Sequence, residues 1–452
     1  MSYIEESIFK KPAYIRDFFI NIYGYNLAKK RFNNDYKVFY ELLVANLTKT
    51  EEEIKIEQFA LLKNCLIHAY KNIPYYNYLF KSVGFIPFEF SDINQLNIIP
   101  LLNKSIIKEN ISQLVDPRAL KNTYHLHKTS GSTGEKLIFF QPINLTFSKN
   151  AAFLYRFYGL HGINIKDKRV TIGGRKFTTR PPFWSYNRFE NQLLMSSHHL
   201  NRHTVIDYVK KINEFKPVFI QGHPNSILFL ARAILNINIK ISYFVKAIFT
   251  TGETLVEENR KIIETAFRTN VYQQYGSGES CFSAQETPER IGYMLNYEHG
   301  FVELLGEAPY KEVIATSFLN PVMPFIRYQI GDFVKPISKN IQSKYPFPHL
   351  FNEVLGRTDD ILKISNDEEI LPVTIRMNVK PFLKEFTNYQ LIQFDKKDFT
   401  LKLVDNNKEI DSKALLCSLK NILGESVQIR VEYVESLVTE GGKIRNITSK
   451  MS

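Results

Sequence analysis

The sequence predicts an α/β protein, with a large N-terminal domain of parallel sheets and helices and a small α+β domain at its C-terminal end. Three observations predict this fold class. The chain has 452 residues, which is long for a single hydrophobic core. Short apolar segments alternate with helical patterns between residues 169 and 276. After residue 356 a separate set of short strands and helices follows, small enough to move as one body.

Residues 1–100 are predicted to be mostly helical. Residues 50–73 carry the clearest pattern, because Thr50 and Glu53 match a capping box and Pro74 ends the apolar periodicity. Nearer the N-terminus, aromatic and basic residues share one segment: Phe18, Phe19, Tyr23, Tyr25, Lys29, Lys30 and Arg31. This mixture is expected to pack onto the main domain, and a helix on a membrane surface is the alternative.

The segment from residue 169 onward is predicted to form the parallel sheet. Helical patterns at 224–236 and 254–268 separate short apolar runs, and Thr254 and Glu257 form a second capping pair. The predicted strands are "RVTIGG", "PVFIQG", "VKAIFTTG" and "NVYQQYG". Ligands of such sheets bind at the carboxyl ends of the strands. The polar residues that follow the last three of these strands are therefore candidate site residues.

A β-rich subdomain is predicted for about residues 300–355, from the short runs "FVELLG", "EVIATS" and "FIRYQIGDFVK". The domain boundary is placed after residue 356, which gives domains of 1–356 and 357–452. Within the second domain we expect short strands, helices at about 373–385 and 412–422, and a last strand "SVQIRVEYV".

Composition narrows the function classes. Basic residues outnumber acidic ones, 58 against 46, and the net charge of +12 suits an anionic ligand or an acidic surface. No long basic tract is present, so nucleic acid is not the expected partner. The three cysteines lie far apart without a CxxC pair, and we see no secretory signal or membrane-spanning run. These features predict a cytoplasmic protein with a possible peripheral membrane contact through its N-terminal segment.

One loop stands out, "KTSGSTGEK" at residues 128–136. Its glycines, hydroxyls and lysines suit the oxygen atoms of a phosphate chain, and a solvated turn is the alternative. The loop does not match a Walker-type sequence, because Glu135 precedes Lys136, and no Gly-x-Gly-x-x-Gly is present.

Four further motifs join this loop: "YGSGES" (275–280), "RYQIGDF" (327–333), "GRTDDILKIS" (356–365) and "GGKIR" (441–445). In this order and spacing they resemble the core motifs of the adenylate-forming superfamily. Within it the chain is most similar to phenylacetate-CoA ligases and related capsule-biosynthesis proteins, whose opening segment resembles "AYKNIPYYNYLF" and "IIPLLNKSIIKEN". The resemblance covers nearly the whole chain. It implies an ATP-dependent ligase that joins a carboxylate to the α-phosphate, releases pyrophosphate and passes the acyl group to an acceptor.

The resemblance also implies roles for residues. The loop residues would hold the phosphates of ATP: Thr129, Ser130, Gly131, Ser132, Thr133, Gly134 and Lys136. Glu279 would bind Mg²⁺, and Asp332 and Arg357 would contact the ribose. Gly252, Glu253, Tyr275 and Gly276 complete the expected ATP and AMP site.

The C-terminal domain would be mobile. Asp359 would be its hinge, and Lys443 would bridge the substrate carboxylate and the α-phosphate as the catalytic lysine. From local composition alone, Lys443 reads as an ordinary solvated loop lysine. Two departures from the family pattern occur: Gly278 replaces a usual Ser or Thr, and Ser365, Asn366 and Asp367 replace a common glycine.

The sequence leaves several points open. His223 and Thr251 are candidates for the acyl pocket, and His198, His199 and His203 lie close enough in sequence to share a metal or to be simply solvated. The expected cofactors are ATP, Mg²⁺ and, as the family's commonest acceptor, CoA. An amine or hydroxyl of a sugar or amino acid is the alternative acceptor. A catalytically degenerate nucleotide-binding protein is the alternative to an enzyme, and a homodimer stays open.

Overall fold

The computed structural model describes residues 10–128, 137–174, 177–201, 203–237, 239–307, 309–337, 343–357, 362–364, 369–370, 372–383, 388–405, 410–435, 437 and 446–451. These residues form two compact units. The first unit lies within Met1–Tyr25, Ile165–Gln273 and Leu355–Ser452, and the second within Asn26–Asn164 and Gln274–Val354.

The α-helices are α1 (Ala13–Arg31), α2 (Asn34–Ala45), α3 (Glu51–Asn72), α4 (Pro74–Ser82), α5 (Lys104–Glu109), α6 (Asn150–Leu160), α7 (Val205–Phe215), α8 (Pro224–Asn236), α9 (Glu257–Phe267), α10 (Pro372–Val379) and α11 (Ser412–Leu423). The strands are β1 (Tyr124–Lys128), β2 (Ile138–Pro142), β3 (Arg169–Gly173), β4 (Trp184–Asn187), β5 (Gln192–Ser196), β6 (Phe219–Gly222), β7 (Ala247–Thr251), β8 (Val271–Gly276), β9 (Ser283–Glu286), β10 (Tyr293–Leu295), β11 (Gly300–Leu305), β12 (Lys311–Ser317), β13 (Tyr328–Pro336), β14 (Phe351–Arg357), β15 (Leu362–Lys363), β16 (Glu369–Ile370), β17 (Asn388–Asp395), β18 (Asp398–Val404), β19 (Gln428–Tyr433) and β20 (Ile447–Ser449).

Helix α3 begins at the capping box that the sequence predicts. The Thr50 backbone N–H donates to Glu53 Oε2 at 2.7 Å, and the Glu53 N–H donates to Thr50 Oγ1 at 3.3 Å. These reciprocal bonds satisfy two backbone donors that the first helical turn leaves open. Pro74 ends the helix and stands at the first position of α4, where its missing N–H costs nothing.

The first unit contains a sheet with the strand order β7-β6-β3-β5-β4. Pairing is parallel except between β5 and the edge strand β4, which run antiparallel. Its hydrophobic core combines Val170 and Ile248 from the strands with Ile212 and Ile227 from helices α7 and α8. Helix α8 has the bounds that the sequence predicts. The predicted cap at Thr254 is wrong, because α9 begins after Val256 and no side chain caps it.

A close backbone approach explains one glycine of this sheet. A Cβ atom at Gly222 would stand 2.6 Å from the Ile172 carbonyl oxygen, so only glycine lets β6 end this close to β3. The chain then enters α8 with His223 as the residue before the helix and Pro224 as its first residue.

The second unit contains the β-rich subdomain, a sheet with the order β11-β12-β13-β14 in which β12 pairs antiparallel with both β11 and β13. A large core packs helices α3 and α4 against it, through residues such as Leu66, Phe80, Val313 and Tyr328. The end of β8 pairs with β9, and β9 pairs with β10, both antiparallel.

The C-terminal segment of the first unit is the predicted α+β arrangement. Its four strands have the order β19-β18-β17-β20, and helices α10 and α11 share a hydrophobic core with them. Strand β20 was not predicted, because three residues carry no readable periodicity. The structure confirms the α/β fold class. The domain boundary at residue 356 stays a prediction.

Across the described part of the chain, every helix is too short or too polar to span a lipid bilayer.

Candidate active site

The first unit brings four predicted site residues together at the carboxyl edge of its sheet. His223, after β6, forms a hydrogen bond of 3.2 Å from Nδ1 to the Thr251 carbonyl oxygen at the end of the neighbouring strand β7. Because a carbonyl oxygen only accepts, this bond places the proton on Nδ1 and directs Nε2 away from β7. Gly252 follows in the left-handed region, with φ of 80°.

Glu253 accepts hydrogen bonds through both its side chain and its backbone. Its Oε2 accepts from the Asn225 backbone N–H at 3.2 Å, in the first turn of α8, where the helix dipole favours a negative charge. Its backbone carbonyl accepts from Gln273 Nε2 at 2.6 Å. The chain segment 251–253 is thus fixed from both sides.

The second unit holds the two carboxylates to which the sequence assigns the metal and the ribose. Tyr328 Oη donates to Glu279 Oε1 at 3.0 Å, and Tyr275 Oη donates to Asp332 Oδ2 at 2.8 Å. Both carboxylates are buried, with 4% and 9% of the residue surface exposed. Tyr328 and Asp332 lie on the same strand, β13, and Tyr275 is the next-to-last residue of β8. Two phenols therefore hold the two carboxylates on one frame.

The surroundings of Glu279 fit a magnesium ligand. Tyr328 is the hydrogen-bond donor that the structure gives this carboxylate within the described residues, and it uses Oε1 alone. The other oxygen, Oε2, is not among the fully buried side-chain atoms that lack a partner, so water or a cation can reach it. Hard oxygen ligands of this kind suit Mg²⁺, which takes one or two protein carboxylates and completes its shell with phosphate oxygens and water.

The residue after Glu279 has an unusual backbone. Ser280 lies in the left-handed region with φ of 56°, which costs a non-glycine residue about 1 kcal/mol. His299 Nε2 forms bonds of 3.0 Å and 3.1 Å to the Ser280 carbonyl oxygen and Oγ. Since the carbonyl only accepts, Nε2 carries the proton. His299 therefore holds the Ser280 peptide in place.

A second set of bonds fixes His299 itself. Ser283 Oγ lies 2.8 Å from Nδ1 and donates to it, and Asn296 Nδ2 donates to the same hydroxyl at 2.6 Å. The imidazole stacks on Phe153, with ring centroids 4.7 Å apart. Burial lowers the pKa of His299 to about 4, which keeps the ring neutral in this tautomer near neutral pH.

The sequence motifs do not identify Tyr328 or His299 as supports of the site. Tyr328 lies inside the motif "RYQIGDF", so its closeness in sequence to Asp332 was a usable signal. His299 lies 19 residues after Ser280, and nothing in its local sequence links it to the motif. Ser280 precedes β9 and His299 directly precedes β11, and the fold brings these two positions together.

Several predicted site residues lie outside the described residues. They are Thr129, Ser130, Gly131, Ser132, Thr133, Gly134, Lys136, Asp359 and Lys443. The substitution of the family glycine by Ser365, Asn366 and Asp367 lies outside them too. Arg357 ends β14, and its backbone position is described. The roles of all these residues stay predictions.

The histidines near residue 200 have structural partners. His198 Nε2 donates to the Gly174 carbonyl at 2.9 Å, and His199 Nδ1 lies 2.9 Å from Ser196 Oγ. The His199 ring stacks on Phe183 at 4.3 Å, and the His203 backbone N–H donates to Asn201. In the part of the chain that the structure covers, no group of three or more His, Cys, Asp or Glu residues is placed to hold a metal ion.

Gly278, which replaces the usual hydroxyl residue, stands in open space. A Cβ atom there would have no neighbour within 4 Å. The Cβ atom of a serine or threonine would therefore fit here, and steric crowding does not explain the glycine.

Comparisons with known proteins bear on the family. No model of a known protein family matches the chain. The chain is 28% identical over 445 residues to Protein CapK of Staphylococcus aureus, which covers 96% of each protein. It is 22% identical over 439 residues to the phenylacetate-coenzyme A ligase of Pseudomonas putida, covering 89% of this chain and 95% of the ligase.

The fold has solved counterparts. A crystal structure of 2-hydroxyisobutyryl-CoA ligase in the postadenylation state, in complex with R3-HIB-AMP, superposes with a TM-score of 0.65 at 15% identity and covers 89% of this chain and 91% of the ligase. A second structure of that ligase, with 2-HIB-AMP and CoA, gives a TM-score of 0.54 at 16% identity over 89% and 91% of the two chains. Motifs, relatives and fold agree: the chain is similar over nearly its whole length to Protein CapK and to phenylacetate-CoA ligases, and it shares the fold of the 2-hydroxyisobutyryl-CoA ligase.

Proposed function

We propose that this adenylate-forming ligase activates a carboxylic acid with ATP and transfers the acyl group to an acceptor, for which CoA is the first candidate. The observation that carries the proposal is the pair of phenol-held carboxylates, Glu279 with Tyr328 and Asp332 with Tyr275. In an adenylate-forming site one carboxylate would bind the metal and the other would accept from the ribose hydroxyls. A protein that only binds a nucleotide would keep the same pair, so ATP–pyrophosphate exchange is the measurement that distinguishes it from an active ligase.

In the first step a substrate carboxylate oxygen attacks the α-phosphorus, and the bond to the pyrophosphate oxygen breaks. Two anions must meet, so their repulsion in a partly dehydrated site needs positive charge to offset it. Lys136 from the loop and Lys443 from the C-terminal domain are the residues that we assign to this task. Mg²⁺ bound at Glu279 would neutralise the phosphates and orient them for in-line displacement.

Asp332 is assigned to the ribose. Its Oδ2 accepts from Tyr275, and because a carboxylate accepts several hydrogen bonds, Asp332 can also accept from a ribose hydroxyl. Gly252 and Glu253 would form the wall of the nucleotide site, and Arg357 would add a donor from the end of β14. His223 and Thr251 are assigned to the acyl pocket.

In the second step the acceptor attacks the carbonyl carbon of the acyl adenylate, and AMP leaves. CoA is the first candidate because phenylacetate-CoA ligases align over nearly their whole length with this chain. An amine or hydroxyl of a sugar or amino acid is the second candidate. The resemblance to capsule-biosynthesis proteins keeps this acceptor open, and the chain is 28% identical to Protein CapK against 22% for the Pseudomonas ligase.

ATP–pyrophosphate exchange across a panel of aryl, fatty, amino and uronic acids tests the first step without an acceptor. We expect Mg²⁺-dependent exchange with one class of acid. Lys443→Ala should lower this exchange by about a hundredfold or more while ATP still binds, because the bridging charge is lost and the cleft is not. Exchange with none of the acids, or full exchange in the variant, would contradict the mechanism.

The acceptor is tested separately. Once the acid is known, release of AMP with CoA is compared with release in the presence of amino sugars and amino acids. An AMP burst with CoA alone identifies a CoA ligase, and a burst with an amine or hydroxyl compound identifies the second candidate.

A further inference from the structure

Helix α1 is fixed to the protein along one side. Arg16 is fully buried, and its guanidinium donates to the carbonyl oxygens of Pro182 at 2.8 Å and Trp184 at 3.1 Å. Asn21 Nδ2 donates to the Tyr186 carbonyl at 2.9 Å. A Cβ atom at Gly24 would stand 2.3 Å from the Asn187 amide oxygen, so glycine lets the helix lie directly against β4.

The opposite side of α1 is exposed and aromatic. Tyr14, Phe18, Ile22 and Tyr25 follow one another at helical spacing, and Tyr14 and Phe18 are 74% and 63% exposed. Phe19 and Tyr23 lie beside these residues on the helix surface and are exposed as well. The contacts of Arg16, Asn21 and Gly24 fix the rotation of the helix, so its aromatic side cannot turn toward the protein interior.

A second element widens this face. The Phe189 ring, in the short turn between β4 and β5, contacts Tyr25 edge to face with centroids 5.2 Å apart. Phe189 is itself 52% exposed. The aromatic face is defined here as Tyr14, Phe18, Phe19, Ile22, Tyr23, Tyr25 and Phe189.

Six of the seven charged residues in the stretch 10–31 are basic. Lys10 and Lys11 precede the helix, and Lys29, Lys30 and Arg31 form its last turn. Asp17 is the only acidic side chain in the described stretch 10–34, and it is bonded to Ser185 on the buried side. The exposed half of α1 thus combines aromatic rings and ammonium groups without a carboxylate.

We propose that this face docks the protein on an anionic lipid membrane surface. Tyrosine and phenylalanine rings bury their apolar bodies at the level of the headgroups, and phenol hydroxyls stay in the polar layer. The flanking lysines gain from the negative surface potential of acidic lipids. A second copy of the chain fits less well, because a symmetric contact would bring the same lysines face to face.

Co-sedimentation of the full chain with phosphatidylcholine vesicles, with and without phosphatidylserine, tests this proposal. We expect binding to the anionic vesicles that falls as salt is raised. The double variant Phe18→Ser, Ile22→Ser should weaken it by about tenfold or more, and Lys29→Glu by about thirtyfold at low salt. Phe244→Ser, which removes an equally exposed ring outside the aromatic face, is the matched control and should bind like the parent protein.

Two measurements keep the result interpretable. Thermal unfolding should show that the variants keep the parent midpoint, since none of these side chains is buried. Light scattering reports the mass in solution. Equal binding to neutral and anionic vesicles, or unchanged binding of the double variant, would overturn the proposal. A dimer that the double variant dissociates, with no vesicle binding by either protein, would assign the face to a second copy instead.

Discussion

The Glu279 carboxylate has one phenolic partner, so its charge and its position are separable by substitution. Glu279→Gln keeps the side-chain size and an oxygen that accepts from Tyr328, but it removes the charge. We expect this variant to lose about a hundredfold to a thousandfold in exchange rate at a fixed Mg²⁺ concentration. A Mg²⁺ titration of ATP–pyrophosphate exchange measures the effect.

Tyr328→Phe is the matched control for that substitution. It removes the donor and leaves the charge, so we expect a loss of about tenfold and a smaller rise in the Mg²⁺ requirement. Equal losses in the two variants would mean that Glu279 acts through its position and not through a metal.

The contact between His299 and Ser280 predicts a rescue. His299→Phe keeps the stacking on Phe153 but leaves the Ser280 carbonyl and the Ser283 hydroxyl buried without their partner. We expect destabilisation by about 2–4 kcal/mol and weaker use of Mg²⁺. Ser280→Gly in the same background should restore part of the Mg²⁺ affinity, because glycine adopts the left-handed backbone without help.

Urea unfolding and the Mg²⁺ titration distinguish the two effects. If Ser280→Gly leaves both quantities of the His299→Phe variant unchanged, His299 stabilises the fold but does not position Glu279.

At the scale of elements, helix caps give a paired test. Thr50 caps α3 and Thr254 caps nothing, although the two sequences share the same pattern of Thr followed three residues later by Glu. We expect Thr50→Ala to lower the free energy of unfolding by about 1 kcal/mol and Thr254→Ala by less than about 0.5 kcal/mol. Urea denaturation compares them directly. A larger loss at Thr254 would contradict the assigned start of α9.

The same pair shows how far sequence reasoning reaches. Element type followed from the pattern of apolar residues, as at α8, whose bounds 224–236 were predicted and whose first residue is Pro224. The predicted cap of α9 was wrong because a capping box requires the helix to begin directly after the capping residue. The residue directly before α9 is Val256, not Thr254. Short β20 gave no pattern at all.

The sequence motifs point to candidate site residues but not to the residues that hold them in place. Motif order selects Glu279 and Asp332, whose roles stay predictions. The partners Tyr328 and His299 act through contacts between distant positions in the chain, and such contacts depend on tertiary packing that no local pattern records.

At the scale of the whole molecule, buried histidines predict a pH dependence of stability. Burial lowers the pKa of His299 and of His161 to about 4, below the ordinary value of 6.5. Between these values the unfolded chain binds protons that the folded chain does not, so stability falls as pH drops from 6.5 to 4. The loss should reach about 3 kcal/mol for His299 and less for the partly exposed His161.

Urea midpoints at pH 7, 6 and 5 measure this slope. His161→Asn should make it shallower, since one of the two groups no longer titrates. A stability that stays flat between pH 7 and pH 5 would show that neither histidine is buried as a neutral ring.

The pairing of α1 with β4 has a practical consequence for handling the protein. Side chains of α1 donate hydrogen bonds to the carbonyl groups of Trp184 and Tyr186 on β4, the edge strand of the sheet. Removing this helix would leave those carbonyl groups without donors. Another molecule could then pair a strand of its own with the uncovered edge of β4. Shortened expression products that begin after residue 31 should therefore precipitate, whereas fusion partners joined ahead of residue 10 leave the strand covered.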